Sequence, residues 1–366
     1  MRIDQAYPAA RIVAARVHRH YAMPPPDPGV IEAMIDVGFW ASLRREENYT
    51  PRISLAWVLP EQVSLPLIFE RPVPLESQAL TRLGPAVERP GIHLCVRRQG
   101  AELAVWGATR SLPPSCFVLE VVGPGLLVIK RSRGDDSSKF VNVAVLQGDE
   151  IKVIDQHAAQ VPDCPQLLSS LLGFQSADAA PDAVNVLSQL AVSMRAHGRG
   201  GSLLVVPSSG QFWQESILHP ILYAIVPTFC RLMDLMKEDA SERSQRRWQE
   251  KLRRAVDGVA GLTAVDGATI ITDQYELLAF GAKIVRRAGW QQVPSVTVTE
   301  PIEGTAAAIA EPGQLGGTRH LSAAQFVHDQ RDALALVASQ DGRFTVFGWS
   351  PCEQRVFANR IETLLF

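Results

Sequence analysis

Val265-Asp266-Gly267-Ala268-Thr269-Ile270-Ile271-Thr272 decides how the C-terminal half of this chain is read. Thr269–Thr272 is rich in β-branched residues and reads as a strand. Asp266 sets a carboxylate at the mouth of that strand, and Gly267 lets a ligand come close to the backbone. Asp-Gly is also a common turn signal, and for Asp266 alone the turn reading is the stronger one. A second stretch shifts the balance. Gly317-Thr318-Arg319-His320 puts a hydroxyl, a guanidinium and an imidazole where a helical pattern begins. Oriented N–H groups and the helix dipole favour an anion at such a place. Arg319 can grip phosphate through its planar fork, and Thr318 can cap the helix. Together the two motifs predict a site for a nucleoside triphosphate and a divalent metal.

Working outward, Asp273-Gln274 reads as a turn and Tyr275–Ala282 as the next strand. Arg286–Gly317 is a long segment rich in Gly, Pro, Ala and Thr, and a loop of that length within a domain is unusual and often functional, for example as a lid. A helix is expected from Leu321 to Gln330. Strands are expected at Ala333–Ser339 and Arg343–Gly348, joined by the tight turn Gln340-Asp341-Gly342. Ser339 ends its strand, where a hydroxyl can bond phosphate. Asp341 is either a turn former or a second carboxylate for the metal. Upstream, Val184, Leu187, Ala191 and Met194 form a helical stripe that ends at Gly198-Arg199-Gly200-Gly201. Ser202–Val206 then reads as a buried strand. No Lys-Ser/Thr follows those glycines and a strand comes next, which is the wrong context for a phosphate loop. Ile217–Met236 reads as helical in pieces. Lys237–Arg254 reads as a charged helical surface over a dry face of Trp248, Leu252, Ala255 and Val259.

The N-terminal part has a different texture. Asp27-Pro28 is a helix start, and Val30, Met34, Val37 and Ala41 follow on one face. From Arg52 to Ile154 come short β-type runs: Ile53–Leu59, Glu102–Ala108, Cys116–Val122, Leu126–Lys130, Phe140–Leu146 and Glu150–Ile154. The expected layout is a β-rich α+β domain over residues 1–158, a linker at 159–183 and an α/β domain over 184–366.

The chain has 366 residues, 46% hydrophobic and 20% charged, with a formal net charge of -2. That balance gives no global pull toward nucleic acid or an anionic membrane. The apolar run from Ile217 to Met236 is broken by His219, Pro220, Pro227 and Arg231, which argues against a membrane span. Met1-Arg2-Ile3-Asp4 opens no apolar signal core. Five cysteines without metal-ligand spacing suit a reducing, cytoplasmic setting. His18 and His20 have no third ligand nearby, and Ser208-Ser209-Gly210 lacks the frame of a nucleophilic elbow.

Asp266-Gly267-Ala268, Gly317-Thr318-Arg319-His320 and Ser339-Gln340-Asp341, with Gly201–Val206 as an opening strand, together resemble the diadenylate cyclase domain. That family includes the DNA-integrity scanning protein and membrane-bound bacterial cyclases. The resemblance covers roughly Val184 to Phe366 and implies an α/β fold, a mixed central sheet flanked by helices. It implies condensation of two ATP molecules to cyclic di-AMP and two pyrophosphates. Asp266, Arg319 and His320 would be catalytic. Gly267, Ala268, Gly281, Gly317, Thr318 and Ser339 would join Arg319 and His320 at the nucleotide. Asp266 and Asp341 would hold Mn²⁺ or Mg²⁺. Two cyclase domains would meet face to face, which makes a homo-oligomer the working form. The N-terminal half is similar to a sensor domain fused ahead of some bacterial cyclases. Two departures stand out. Leu321 replaces the family's second arginine, a lost contact worth about 1.5–3 kcal/mol, and the segment Arg286–Gly317 is longer than usual. They motivate the alternative of a degenerate, inactive nucleotide-binding sensor module.

Overall fold

Alternation along β-branched runs gives each strand two distinct faces, and two sheets are built from them. The computed structural model describes residues 7–17, 26–45, 52–89, 91–133, 140–155, 185–243 and 245–366. The chain divides into two compact units, Met1–Ile154 and Asp155–Phe366. The expected linker at 159–183 lies outside the described residues, as do Val184, His18 and His20. Among the described residues no helix is long and apolar enough to cross a membrane, and the cysteines Cys95, Cys116, Cys230 and Cys352 are all free thiols.

In the first unit three helices lie against one sheet: α1 (Pro8–Val17), α2 (Pro28–Ser42) and α3 (Ser77–Val87). The strands are β1 (Ile53–Trp57), β2 (Leu67–Pro74), β3 (His93–Gln99), β4 (Glu102–Thr109), β5 (Phe117–Gly123), β6 (Leu126–Ser132), β7 (Phe140–Gln147) and β8 (Glu150–Val153). They are ordered β2-β4-β3-β1-β5-β6-β7-β8. Among the described strands of this unit only β1 and β3 are parallel neighbours. α2 starts with Pro28 in its first turn, as the Asp27-Pro28 signal requires, although the Asp27 side chain makes no cap bond. Ile31, Met34 and Ile35 of α2 share a core with Leu55, Leu119 and Leu127 of the sheet.

The opposite face of this sheet holds a smaller cluster of Ala56, Cys95, Trp106, Cys116 and Val118. Trp106 Nε1 donates to the Val58 carbonyl at 2.8 Å. A buried polar group lies close by. Ser54 Oγ is 2.8 Å from His93 Nδ1, and Lys130 pairs with Glu120. Burial lowers the His93 pKa to about 4; the Glu120 charge opposes that shift and Lys130 adds to it. Burial pushes the Cys95 and Cys116 thiols up to about 12.

The second unit is built on a nine-stranded mixed sheet ordered β10-β12-β11-β9-β15-β16-β17-β13-β14. Its strands are β9 (Gly201–Val206), β10 (Tyr223–Phe229), β11 (Ala268–Thr272), β12 (Leu277–Ala282), β13 (Val296–Thr299), β14 (Ala308–Ala310), β15 (Leu334–Ala338), β16 (Phe344–Ser350) and β17 (Arg355–Arg360). The helices are α4 (Val186–Ala196), α5 (Arg231–Lys237), α6 (Ala240–Arg243), α7 (Arg246–Leu262) and α8 (Thr318–Asp329). Leu204 and Val206 of β9 share a core with Ala323, Phe326 and Val327 of α8. Leu203 and Val205 alternate to the other face, where α4 and α7 pack on each other and on the sheet. Leu187, Ala191 and Met194 are buried along α4, and Trp248, Leu252 and Val259 along α7, as their spacing predicts.

Two expectations fail. The stretch expected to be helical from Ile217 contains β10, an edge strand, and only Arg231–Lys237 is helical. Ile225, Val226 and Thr228 favour extended backbone, and Pro227 is tolerated because an edge strand has one side without ladder bonds. The segment Arg286–Gly317 is not one loop. β13 pairs in parallel with β17, β14 pairs with β13, and they extend the sheet on the side away from β11.

Two measurements test this architecture. A folded pKa near 4 for His93 means that the unfolded chain takes up its proton first as pH falls. The associated stability is fully present above pH 6.5 and is lost as pH falls from there toward 4. Thermal or urea unfolding of the full chain is expected to show about 2 kcal/mol less stability at pH 5 than at pH 7 from this group, with the loss absent in His93→Gln. In the second unit, a Cβ on Gly201 would run into the Thr263 carbonyl that closes α7. Gly201→Ala is expected to cost about 1–3 kcal/mol by urea denaturation. An unchanged midpoint would show that the α7–β11 connection yields freely.

Candidate functional site

Strand register brings the motif residues to one end of the second sheet. β9 lies between β11 and β15, parallel to the first and antiparallel to the second. Ala268 is opposite Ser202, and Ala338 is opposite Gly201. The residue pairs just outside these positions, Arg199-Gly200, Asp266-Gly267 and Ser339-Gln340, therefore meet at the same edge. β12 runs antiparallel to β11 with Ala282 opposite Ala268, which sets Lys283 beside Asp266. The amino end of α8 closes the group from above β9.

Each connection has a local cause. α4 ends at His197, and Gly198 (φ 66°) and Gly200 (φ 69°) turn the chain into β9. α7 ends at Thr263, whose hydroxyl donates to the Ala260 carbonyl at 2.6 Å. Val265 N–H still bonds the Leu262 carbonyl at 3.1 Å, so Asp266 is the first residue free of the helix. Gly267 sits at φ 111°, and a Cβ there would lie 2.5 Å from the Gly281 carbonyl carbon. Gly281 in turn is covered by the Tyr223 ring, which would be 2.7 Å from an added Cβ. Tyr223 stacks on Phe280 at 4.8 Å between ring centroids.

Asp266 and Arg319 come near enough at this edge for the charge of one to act on the other. The Asp266 carboxylate accepts a hydrogen bond and ion pair from Lys283 Nζ at 2.6 Å. Lys283 is the main reason its pKa is held below the ordinary carboxylate value; the Arg319 charge and the Gly267 N–H add to it. Asp266 is thus ionised throughout the neutral range, and its side chain is 88% exposed. Arg319 passes over Gly200, whose missing side chain leaves it room: an added Cβ would be 3.0 Å from Arg319 Nη1. Gln340 Nε2 reaches the Arg199 carbonyl at 3.4 Å. One acid therefore faces two cations beside glycine backbone, which suits a polyanionic ligand.

The remaining motif residues take other places. Gly317, rather than Thr318, is the cap of α8, and no side chain completes the cap. Thr318 opens the helix on the exposed side. His320 is buried at 3% exposure. Its ring lies under Gly316, where a Cβ would be 2.6 Å from Nδ1, and meets Phe347 edge-on. Burial first, and then the Arg360 charge, lower its pKa, so the imidazole is neutral at pH 7. Ser339 closes a tight turn, its N–H bonding the Arg343 carbonyl at 2.9 Å. Asp341 pairs with Arg343 at 3.3 Å across that turn, and it is not among the groups that shift Asp266. Leu321 packs on the core and lines a cleft of about 300 Å³ with Arg286 and Gln325.

The donor set bears on the metal. Among the described residues no group of three or more His, Cys, Asp or Glu side chains is arranged to hold an ion. A metal held by protein alone does not fit. A hard cation arriving on a triphosphate does, because Mg²⁺ takes one or two carboxylates and completes its shell with phosphate and water. Asp266 supplies one such carboxylate.

Sequence reasoning missed Lys283, Tyr223 and Gly200. Counting strand residues outward from the Asp273-Gln274 turn sets Gly281 opposite Asp266; two register shifts between β11 and β12 bring Lys283 there instead. Tyr223 has no sequence signal, since β10 shows no alternation of buried and exposed residues.

Comparison with known proteins gives a partial picture. Residues 20–110, within the first unit, match the family model described as "Probable sensor domain DACNV". No curated protein matches the chain. A crystal structure of a hypothetical membrane spanning protein from Bacillus cereus is 14% identical, with a TM-score of 0.27 over 53% of this chain and 71% of that one. A crystal structure of DacA from Staphylococcus aureus, a double mutant carrying two introduced cysteines, is 13% identical, with a TM-score of 0.25 over 47% of this chain and 83% of that one. Likeness at that level bears on neither the site nor the chemistry. The comparisons thus give the first unit a sensor-domain likeness, and the role of the second rests on its own residues.

Proposed function

We propose that the second unit is a diadenylate cyclase-type nucleotidyltransferase that condenses two ATP molecules to cyclic di-AMP and two pyrophosphates, controlled by the first unit. The observation that carries this is the convergence of Asp266, Lys283 and Arg319 at one sheet end, with Gly200 and Gly267 leaving backbone open beside them. Arg319, Lys283 and the amino end of α8 hold phosphate oxygens and meet the charge that develops on them. Ionised Asp266 accepts a hydrogen bond from a ribose hydroxyl and orients it. His320, buried and neutral, acts as a positioning residue that seats the first turn of α8 against Phe347. Asp266 would hold Mn²⁺ or Mg²⁺ carried on the triphosphate, and that ion would offset negative charge on the leaving pyrophosphate. Asp341 is placed to shape the turn after Ser339.

In each half-reaction the 3′-oxygen of one ATP bonds to the α-phosphorus of the other. The bond from that phosphorus to the bridging oxygen breaks, pyrophosphate leaves, and the hydroxyl proton passes to water or Asp266. One unit offers one such crevice, so two chains meet face to face in the working form.

A second reading has its own observation. Leu321 turns to the core, and the guanidinium of the family pattern is missing from that helical turn. On this reading the unit binds nucleotide without turnover, as a sensor module.

Mass spectrometry of the full chain with ATP and Mn²⁺ is expected to detect cyclic di-AMP. Asp266→Asn is expected to lower the yield by about 100-fold or more while ATP binding stays within about tenfold. Bound ATP without product, with the dimer verified, selects the sensor reading; no ATP binding sinks both. Lys283→Ala is expected to weaken ATP binding about tenfold in a fluorescence titration, the loss of one charge-assisted contact. Tighter binding would show instead that Lys283 competes for Asp266.

A further inference from the structure

The other end of the same sheet carries a separate cavity of about 480 Å³, within the size range of small-molecule sites. It opens beyond Val206, where β9 ends and β15 begins. β9 and β11 are parallel and both finish on this side, and the carboxyl ends of parallel strands are where open α/β sheets form ligand crevices. From the rise of β9, roughly 16 Å separates it from the Asp266 crevice.

Its walls are aromatic and its polar groups fall into two kinds. Phe212 is 72% exposed at the cavity, Trp213 is buried behind it, and Trp290 faces them from the segment after β12. The first kind of polar group is already committed. Arg287 pairs with Glu215 at 2.6 Å. Asp329 accepts from Arg287 N–H at 2.8 Å and Gln325 Nε2 at 2.8 Å, and lies 3.0 Å from His328 Nδ1. Gln330 donates to Ser216 Oγ at 2.8 Å. The second kind is available. Arg331 has its guanidinium 4.1 Å over the Trp349 ring and 5.4 Å from Trp290, and forms no ion pair among the described residues. Stacked on indole, its fork is pre-set to receive a planar anion. Asp332 stands exposed on the rim and works against a ligand carrying several negative charges.

We propose that this cavity binds a planar aromatic monoanion of the aryl carboxylate type, its ring against Phe212 and Trp290 and its carboxylate on Arg331. The site is independent of the nucleotide crevice and of the reading given to it.

Isothermal titration of the full chain with 2-naphthoate, 2-naphthamide and inorganic phosphate tests this. The acid is expected to bind at least about tenfold tighter than the amide, and phosphate not to bind here. Arg331→Gln is expected to erase the preference for acid over amide; Arg331 is exposed, so the variant should fold. Trp290→Ala is expected to weaken both ligands by about tenfold or more, and Asp266→Asn to change neither. Equal affinity for acid and amide in the unaltered chain overturns the role of Arg331. Loss of naphthoate binding in Asp266→Asn puts the ligand at the opposite end of the sheet and overturns the site. No binding of naphthoate at millimolar concentration overturns the proposal outright.

Discussion

The second unit depends on the hydrogen-bond register of β9. One strand is held parallel to β11 on one side and antiparallel to β15 on the other. That arrangement forces the entry of one neighbour and the exit of the other to the same edge. A shift of one residue would turn every side chain of β9 to the opposite face. The strand is buried along its whole length, so such a shift would exchange the side chains that fill the two cores and draw Gly201 away from its close contact. The edge with Asp266, Arg319 and Ser339 is thus fixed by the placement of β9. Gly201 secures the position by lying directly against the Thr263 carbonyl.

Charge at that edge is arranged around the Asp266 carboxylate. Asp266 is exposed, so its ion pair with Lys283 adds little to stability. Its effect is on local charge: it lowers the pKa of the acid further and sets a cation beside it. Arg319, which passes over Gly200, adds a second positive charge from a different element. The imidazole next to it is withdrawn into the core. Consecutive residues of one helical turn therefore do different work, because successive helix positions point about 100° apart.

Much of this was legible in the sequence, and the failures have physical reasons. Asp27-Pro28 marked α2, the Leu187–Met194 stripe marked α4, and the glycines after it marked the start of β9. The hairpin around Gln340-Asp341-Gly342 was readable from turn chemistry. These are local signals, and local rules recover them. β10 looks helical in the sequence because its apolar residues carry no alternation: an edge strand with most side chains exposed has no buried face to impose one. β13 and β14 are hidden in a Gly- and Pro-rich stretch: β13 is held by β17, distant in sequence, and β14 pairs only with β13. The depth of His320 was also hidden. Nothing in Gly317-Thr318-Arg319-His320 tells which side chain the helix turns inward; the bulk of Phe347 and the bare backbone of Gly316 decide it.

α8 is twelve residues long, about 18 Å at helical rise. Its first turn carries Arg319, and its last residue is Asp329, which three donors hold in place. Gln325 and His328 belong to α8 itself, so the Arg287 N–H is the tie that joins this end to the segment after β12. A helix of that length is a stiff rod, and this one is seated along His320, Ala323, Phe326 and Val327 as well, so the reach of Arg319 over Gly200 is set by the whole packed face rather than by one end.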